Sequence, residues 1–217
     1  MADFAALRET MVAEQVAARG IGEPHLLAAL RAVPREAFVP GHLACHAYED
    51  SPLPIEAEQT ISQPYVVALM IEAAGVAPGH KVLEIGAGSG YAAAVLGRIA
   101  GKVIAIERHA ELAALAAERM ARLGYDNVRI LHADGSGGLP EEAPFDAILV
   151  AASGSHVPEP LKRQLAIGGA LVMPLGEPGA VQSLVKVIRA GEDDFTRDDL
   201  GAVRFVPLIG EQGWRDR

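Results

Sequence analysis

The strand-like run Val82–Ile85 (VLEI) ends in Gly86-Ala87-Gly88-Ser89-Gly90, and a helical pattern starts at Tyr91. This junction constrains the fold more than any other stretch of the chain. Glycine adopts backbone angles closed to other residues, so the alternating glycines permit a sharp strand-to-helix reversal and let a ligand approach the main chain. A helix starting there presents unpaired N–H groups and a positive dipole end, which suit an anionic or polar cofactor tail.

The flanking pattern supplies the rest of such a fold. Pro64 can open a helix with Val67, Met70, Ile71 and Ala74 on one face, and Lys81–Ile85 follows as a strand. A helix with Ala92, Val95, Leu96 and Ile99 leads to a strand over Lys102–Glu107. The next helix carries Leu112, Leu115, Ala116 and Met120 and is stopped by Gly124. Strands are predicted at Val128–His132, Phe145–Val150 and Ala170–Pro174, with a short helix over Pro160–Ala166. Near-continuous apolar strands alternating with helices predict a parallel sheet covered on both faces, and right-handed crossovers make it doubly wound and Rossmann-like.

Two flanking segments complete a single expected domain over residues 1–217. Residues 1–61 read as a helical and loop extension. Asp3 can cap a helix with Leu7 and Met11 on one face and Val12 and Val16 beside them, ended by Gly20 and Gly22. A second helix runs from Pro24 to Val33, and loop follows from Pro34. Residues 62–180 form the cofactor-binding core. In residues 181–217, Ser183–Ile188 and Val203–Ile209 read as strands joined by the acidic turn GEDDFTRDD, an antiparallel edge on the sheet.

Half of the 217 residues are hydrophobic, enough for a full core in one compact domain. The net charge of −9 argues against a nucleic-acid partner, because phosphate contacts need clustered Lys or Arg. No apolar run reaches the roughly 18–20 residues that span a bilayer, so no membrane partner is expected. With no secretory start and Cys45 as the only cysteine, the expected location is cytoplasmic. The seven histidines are scattered without metal-ligand spacing, and no metal is expected. Ser153-Gly154-Ser155-His156 lacks the Gly-x-Ser-x-Gly elbow of a hydrolase.

The cofactor class turns on one position. A dinucleotide fingerprint places its third glycine where this chain has Tyr91, and so fails. The Gly-x-Gly-x-Gly form preceded by Glu84 resembles the first motif of S-adenosylmethionine-dependent methyltransferases, in which the turn faces the cofactor's amino-acid tail. Glu107 ends the next strand 21 positions after Gly86, placed to accept hydrogen bonds from ribose hydroxyls. Its alternative is a surface glutamate paired with Arg108. Asp134, in His132-Ala133-Asp134-Gly135, is placed to accept the adenine amino group; its alternative is an ordinary turn aspartate.

A fold of this kind does not name its acceptor. The segment DSPLPIEAEQTISQPYVVALM, Asp50–Met70, resembles the signature of protein-L-isoaspartate O-methyltransferases, most of all in Gln59-Thr60-Ile61-Ser62-Gln63-Pro64-Tyr65. PREAFVP (Pro34–Pro40), DGSGGLPEEAPFDAILV (Asp134–Val150), LAIGGALVMPLG (Leu165–Gly176) and VRFVPL (Val203–Leu208) extend the resemblance over most of the chain. It implies the S-adenosylmethionine-dependent methyltransferase fold, with isoaspartyl proteins and peptides as substrates and S-adenosylhomocysteine as product. It implies Ser62 as the active-site residue, the alternative being a helix cap ahead of Pro64. The implied cofactor-contacting residues are Gln59, Thr60, Ile61, Glu84, Gly86, Gly88, Ser89, Gly90, Glu107, Arg108, Asp134 and Gly135. A monomer is expected.

The chain departs from the family pattern in three places. Glu56, Ala57 and Glu58 stand where many members have glycines, and Ile209 stands where a threonine often follows Val-Pro-Leu. Ala151-Ala152-Ser153-Gly154 is more polar than the usual run. The Glu56–Glu58 stretch and Ile209 keep two alternatives open: a methyltransferase acting on another acceptor, and a non-catalytic S-adenosylmethionine-binding protein.

Overall fold

The computed structural model describes residues 3–215; the outermost two residues at each end of the expected 1–217 domain lie outside it. Its centre is a seven-stranded sheet. The chain first forms helices α1 (Phe4–Thr10) and α2 (Pro24–Ala32), a short hairpin of β1 (Leu53–Pro54) and β2 (Thr60–Ile61), and helix α3 (Pro64–Ala73). The sheet and its helices follow as β3 (Lys81–Ile85), α4 (Tyr91–Gly97), β4 (Lys102–Glu107), α5 (Ala110–Leu123), β5 (Val128–His132) and β6 (Phe145–Val150). Helix α6 (Glu159–Arg163) and strands β7 (Leu165–Leu175), β8 (Gln182–Arg189) and β9 (Phe195–Val203) complete it.

The strand order is β5-β4-β3-β6-β7-β8-β9. The first five strands are parallel, and β8 and β9 are added antiparallel. Every residue of β4 after Lys102 is buried, as a strand covered on both faces requires. The period-two alternation of side chains separates the core into two layers. Val82, Val103, Ala147 and Val172 face the layer that contains the N-terminal helices, α3, α4 and Leu112 and Met120 of α5. Leu83, Ile85, Ile104, Ile106 and Ile148 face the other layer, which Leu161 of α6 helps to close.

The N-terminal segment is less regular than expected. Asp3 caps α1 as predicted, accepting from the Ala5 and Ala6 N–H groups at 3.1 Å each. The path then continues as a π-helix over Met11–Val16 and a 3₁₀ turn over Ala17–Arg19, closed by Gly20 at φ +97°. Met11, Val12 and Val16 are buried, but Leu7, expected beside Met11, is exposed. The stretch after Pro34, expected as loop, contains 3₁₀ turns at Arg35–Phe38 and Gly41–His46 besides the β1–β2 hairpin.

Two other expectations are corrected. The helix predicted over Pro160–Ala166 is shorter, because Leu165 already pairs with Phe145 and begins the long β7. At the C-terminus, the strand predicted at Val203–Ile209 lies earlier, over Phe195–Val203, and begins inside the sequence read as an acidic turn. Strand β9 is a sheet edge, and Arg197, Asp198 and Asp199 are exposed on it, as charged side chains are on edges that must not recruit another strand. Beyond Val203 the apolar run to Ile209 crosses back over the ends of the parallel strands, with only single bridges, among the described residues, from Pro207 to Ser153 and from Ile209 to Trp214.

Candidate active site

The carboxyl ends of β3, β4, β5 and β6 open onto one cleft. Its lining includes the turn after β3, Glu107 to His109 after β4, Gly135 after β5, and Ala151 and Ala152 after β6. This is where an open parallel sheet collects its ligands, because the loops at that end diverge above the strands. The Gln59–Ser62 segment covers one side of the cleft, and Val206–Ile209 covers another.

The glycine turn requires its residues. Gly86, Gly88 and Gly90 have φ of +86°, +53° and +88°, where a side chain is strained. A Cβ on Gly88 would meet only Ile55 Cδ1 at 3.7 Å, so this part of the turn is approachable. Gly90 serves packing instead: a Cβ there would lie 3.2 Å from both Ala116 Cβ and Met120 Cε of α5.

Glu107 is buried, which excludes the surface-pair alternative. Its Oε2 accepts from the Gly88 N–H and its Oε1 from the His109 N–H, both at 2.9 Å, so it ties the glycine turn to the start of α5. Glu84 is the electrostatic oddity of the site. It lines the cleft, and its Oε2 is buried without a hydrogen-bond partner among the described residues. Burial, helped by the charge of Glu107, pushes its pKa up to about 8. An orphaned carboxylate in a cleft fits a ligand that brings a cation. S-adenosylmethionine, with its ammonium and sulfonium groups, fits that need.

Ser62 lines this cleft and also a second, adjoining one between Pro52, Gln63, Val66, Val181 and the Val203–Pro207 run. Its hydroxyl has no hydrogen-bond partner among the described residues. It is not the helix cap: Gln63 occupies that position ahead of Pro64, without a capping side-chain bond.

Of the residues expected from sequence, Gln59, Thr60, Ile61, Ser62, Glu84, Gly86, Gly88, Ser89, Glu107, Arg108 and Gly135 line the first cleft. Gly90 and Asp134 do not. The Asp134 carboxylate is instead engaged by the main chain, accepting from the Ser136 and Glu211 N–H groups at 2.8 Å each. Partial burial acts to raise its pKa, but these donors outweigh it and hold the group below the usual carboxylate range. Val67, Tyr91, Ala92, His109 and Leu208 also line the cleft. Sequence reasoning missed Val67 and Ala92, which read as ordinary helix-face residues, and His109, which read as a surface or loop histidine. Among the described residues, no three His, Cys, Asp or Glu side chains are grouped to hold a metal ion, and no helix is long and apolar enough to cross a membrane.

Strand order, glycine turn and the carboxylates at the strand ends define a class, the α/β domains of the S-adenosylmethionine-dependent methyltransferase fold. The sequence profile described as Protein-L-isoaspartate(D-aspartate) O-methyltransferase matches residues 6–213. A protein-L-isoaspartate O-methyltransferase of Rhodopseudomonas palustris is 58% identical over 205 residues, 94% of each chain. A second such relative, from Pelobacter propionicus, is 54% identical over 95% of this chain and 92% of its own. A solved protein-L-isoaspartate O-methyltransferase superposes with TM-score 0.85 at 30% identity, covering 95% of this chain and 67% of that one. A Plasmodium falciparum structure assigned to the same family, in complex with S-adenosyl-L-homocysteine, gives TM-score 0.80 at 28% identity over 93% and 98% of the two chains. This chain belongs to the protein-L-isoaspartate(D-aspartate) O-methyltransferase family.

Proposed function

We propose that this protein transfers a methyl group from S-adenosylmethionine to the free carboxylate of isoaspartyl residues in damaged proteins. The observation that carries this reading is the place of Ser62, whose hydroxyl has no hydrogen-bond partner among the described residues and stands where the cleft at the strand ends meets a second, partly apolar cleft. One cleft takes the cofactor and the other takes the peptide flanking the altered residue. S-adenosylmethionine supplies an electrophilic methyl group. Glu84 would hold its ammonium group, Glu107 would accept from its ribose, and the glycine turn would receive its amino-acid tail.

The acceptor carboxylate has a pKa near ~4 and is ionised at neutral pH, so the site needs no strong general base. The protein's contribution is position and dryness. Holding reacting atoms about 3 Å apart in the right orientation can supply several kcal/mol. Leu208, Ile209 and Ile61 limit water around the reacting oxygen, whose hydration shell would otherwise blunt it. The Ser62 hydroxyl donates to the carboxylate and fixes which oxygen attacks. Of the departures from the family pattern, Ile209, Ala151 and Ala152 line the cofactor cleft, whereas the Glu56–Glu58 turn lines neither cleft. We read the protein as a cytoplasmic monomer acting without metal or nucleic acid.

Paired peptides that differ only in isoaspartate or aspartate, incubated with labelled cofactor, test the reading. Base-labile label on the isoaspartyl peptide alone is the expected result; label on both peptides, or on neither, overturns it. Ser62→Ala is expected to lower kcat by about tenfold to a hundredfold while the cofactor Kd stays nearly constant. Wild-type kcat in that variant would remove Ser62 from the chemistry.

A further inference from the structure

The PREAFVP stretch, Pro34–Pro40, contributes no residue to either cleft at Ser62, yet it holds the least ordinary cation in the molecule. Arg35 is fully buried and has no carboxylate within ion-pair distance among the described residues. Its Nε donates to the Ala47 carbonyl at 2.7 Å, and its Nη2 donates to the Ser62 carbonyl at 2.7 Å. The guanidinium lies 4.6 Å from the ring centroid of Tyr91, the first residue after the glycine turn. Phe38 meets the same ring edge-on, with centroids 5.7 Å apart. The other side of the Ser62 segment is held as well. Gln63 Nε2 donates to the Asp50 carbonyl at 2.7 Å, and Asp50 Oδ1 accepts from the Tyr65 N–H at 3.3 Å.

A buried charge without a counter-charge is a poor means of stabilising a fold, since an apolar side chain of similar volume often does as well or better. Arg35 is therefore better explained by what it joins. One planar group touches both walls of the active site, the Ser62 carbonyl and the aromatic ring that follows the glycine turn. Lysine has no such plane and no fork of donors, so it cannot hold both at once.

We propose that Arg35 is a positioning residue for methyl transfer: laid on Tyr91 and bonded to the Ser62 carbonyl, it sets the distance between the cofactor turn and the Ser62 hydroxyl. The proposal rests on the reading of Ser62 given above. The Ser62 carbonyl carbon is bonded to its Cα, so a shift of that carbonyl moves the hydroxyl with it. A misplacement of about 1 Å at a reacting pair costs on the order of a hundredfold in rate.

A double-mutant cycle tests this. Turnover of an isoaspartyl peptide is measured at saturating S-adenosylmethionine for the full chain, Arg35→Met, Arg35→Lys, Ser62→Ala and the Arg35→Met/Ser62→Ala pair. Cofactor Kd and thermal unfolding are recorded for each. Arg35→Met is expected to lower kcat by about tenfold to a hundredfold with Kd changed less than about twofold. Arg35→Lys is expected to recover part of the loss through one remaining donor. In the Ser62→Ala background the same Arg35→Met change is expected to cost less than about threefold, because the group it aligns is gone.

An equal loss in both backgrounds would mean a general structural role and overturns the proposal, as does an undiminished kcat or a loss that appears wholly as weaker cofactor binding. If Arg35→Met does not fold, the cycle is completed with Arg35→Lys and judged by the same comparison. A slow Ser62→Ala beside an unaffected Arg35→Met removes only the role of Arg35. Wild-type turnover by Ser62→Ala removes the reading of Ser62 and the role of Arg35 together.

Discussion

Glu84 is only 2% exposed, and one of its carboxyl oxygens has no partner among the described residues. Its pKa in the folded protein stands near 8, above the usual 4.5, through burial first and Glu107 second. The unfolded chain therefore releases this proton at lower pH than the folded one does. Its effect on stability is flat below the unfolded value, turns against the fold as pH rises from about 4.5 to about 8, and is flat again above. The slope in that window is at most ~1.4 kcal/mol per pH unit. Glu84→Gln is expected to remove it, so the ligand-free variant should gain on the parent protein between pH 5 and pH 8 in urea unfolding. Parallel curves would contradict the buried, protonated state. S-adenosylmethionine brings a cation that favours the ionised form, and its affinity is expected to weaken as pH falls below about 8.

At the scale of elements, the β1–β2 hairpin carries the clearest strain. The Gln59 N–H donates to the Glu56 carbonyl at 3.2 Å across a turn whose central residues, Ala57 and Glu58, have φ of +54° and +56°. Two central residues with positive φ describe a type I′ turn, which Asn-Gly suits and Ala-Glu does not. The departure from glycine noted in the sequence therefore falls where a side chain is costly. One compensating contact is visible. Arg119 Nη2 lies 3.6 Å from Glu56 Oε1, while its Nη1 donates to the Ser89 carbonyl at 3.1 Å, linking the hairpin to the glycine turn. Ala57→Asn combined with Glu58→Gly is expected to stabilise the protein by about 1–2 kcal/mol, read as a higher denaturant midpoint at unchanged m-value. An unchanged or lower midpoint would show that the hairpin is relaxed as it stands.

At the scale of the molecule, the C-terminal segment closes the cofactor cleft. Glu211 donates its N–H to Asp134, Gln212 donates its N–H to Ser136 Oγ at 3.0 Å, and Trp214 Nε1 donates to the Ser153 carbonyl at 2.9 Å. These contacts join the turns after β5 and β6 to the segment whose Leu208 and Ile209 line the cleft. Gly210 passes so near Asp134 that no side chain fits there. Asp134→Ala is expected to cost about 1–3 kcal/mol and to speed hydrogen exchange at the Glu211 and Gln212 amides more than elsewhere. It should also weaken cofactor binding, since two cleft residues lose their anchor. Unchanged exchange at those amides would show that the segment is held without Asp134. The depressed pKa of Asp134 means that its contribution is complete above the usual carboxylate range and is lost as pH falls through the folded value.

Local chemistry determined most of the parallel core. Val82–Ile85 before alternating glycines permits one kind of junction, and Glu107 and Gly135 fall at the ends of neighbouring strands because each strand–helix unit repeats the same geometry. The family was legible too, since the Gln59–Tyr65 run and its companions are contiguous in sequence. Only the tertiary structure decided the rest, because it depends on which distant segments meet. Edge position made Phe195–Val203 a strand despite its charges, and the closing of the cleft kept the apolar Val203–Ile209 run from being one. Asp134 reads from the sequence as a ligand contact, and only folding brings the Glu211 N–H from the chain's far end to its carboxylate. Nothing in the sequence around Arg35 singles it out, and only folding buries it between Ala47, Ser62 and Tyr91. A single sequence carries the propensity of each segment, but the partner of a side chain is settled by packing across the whole chain.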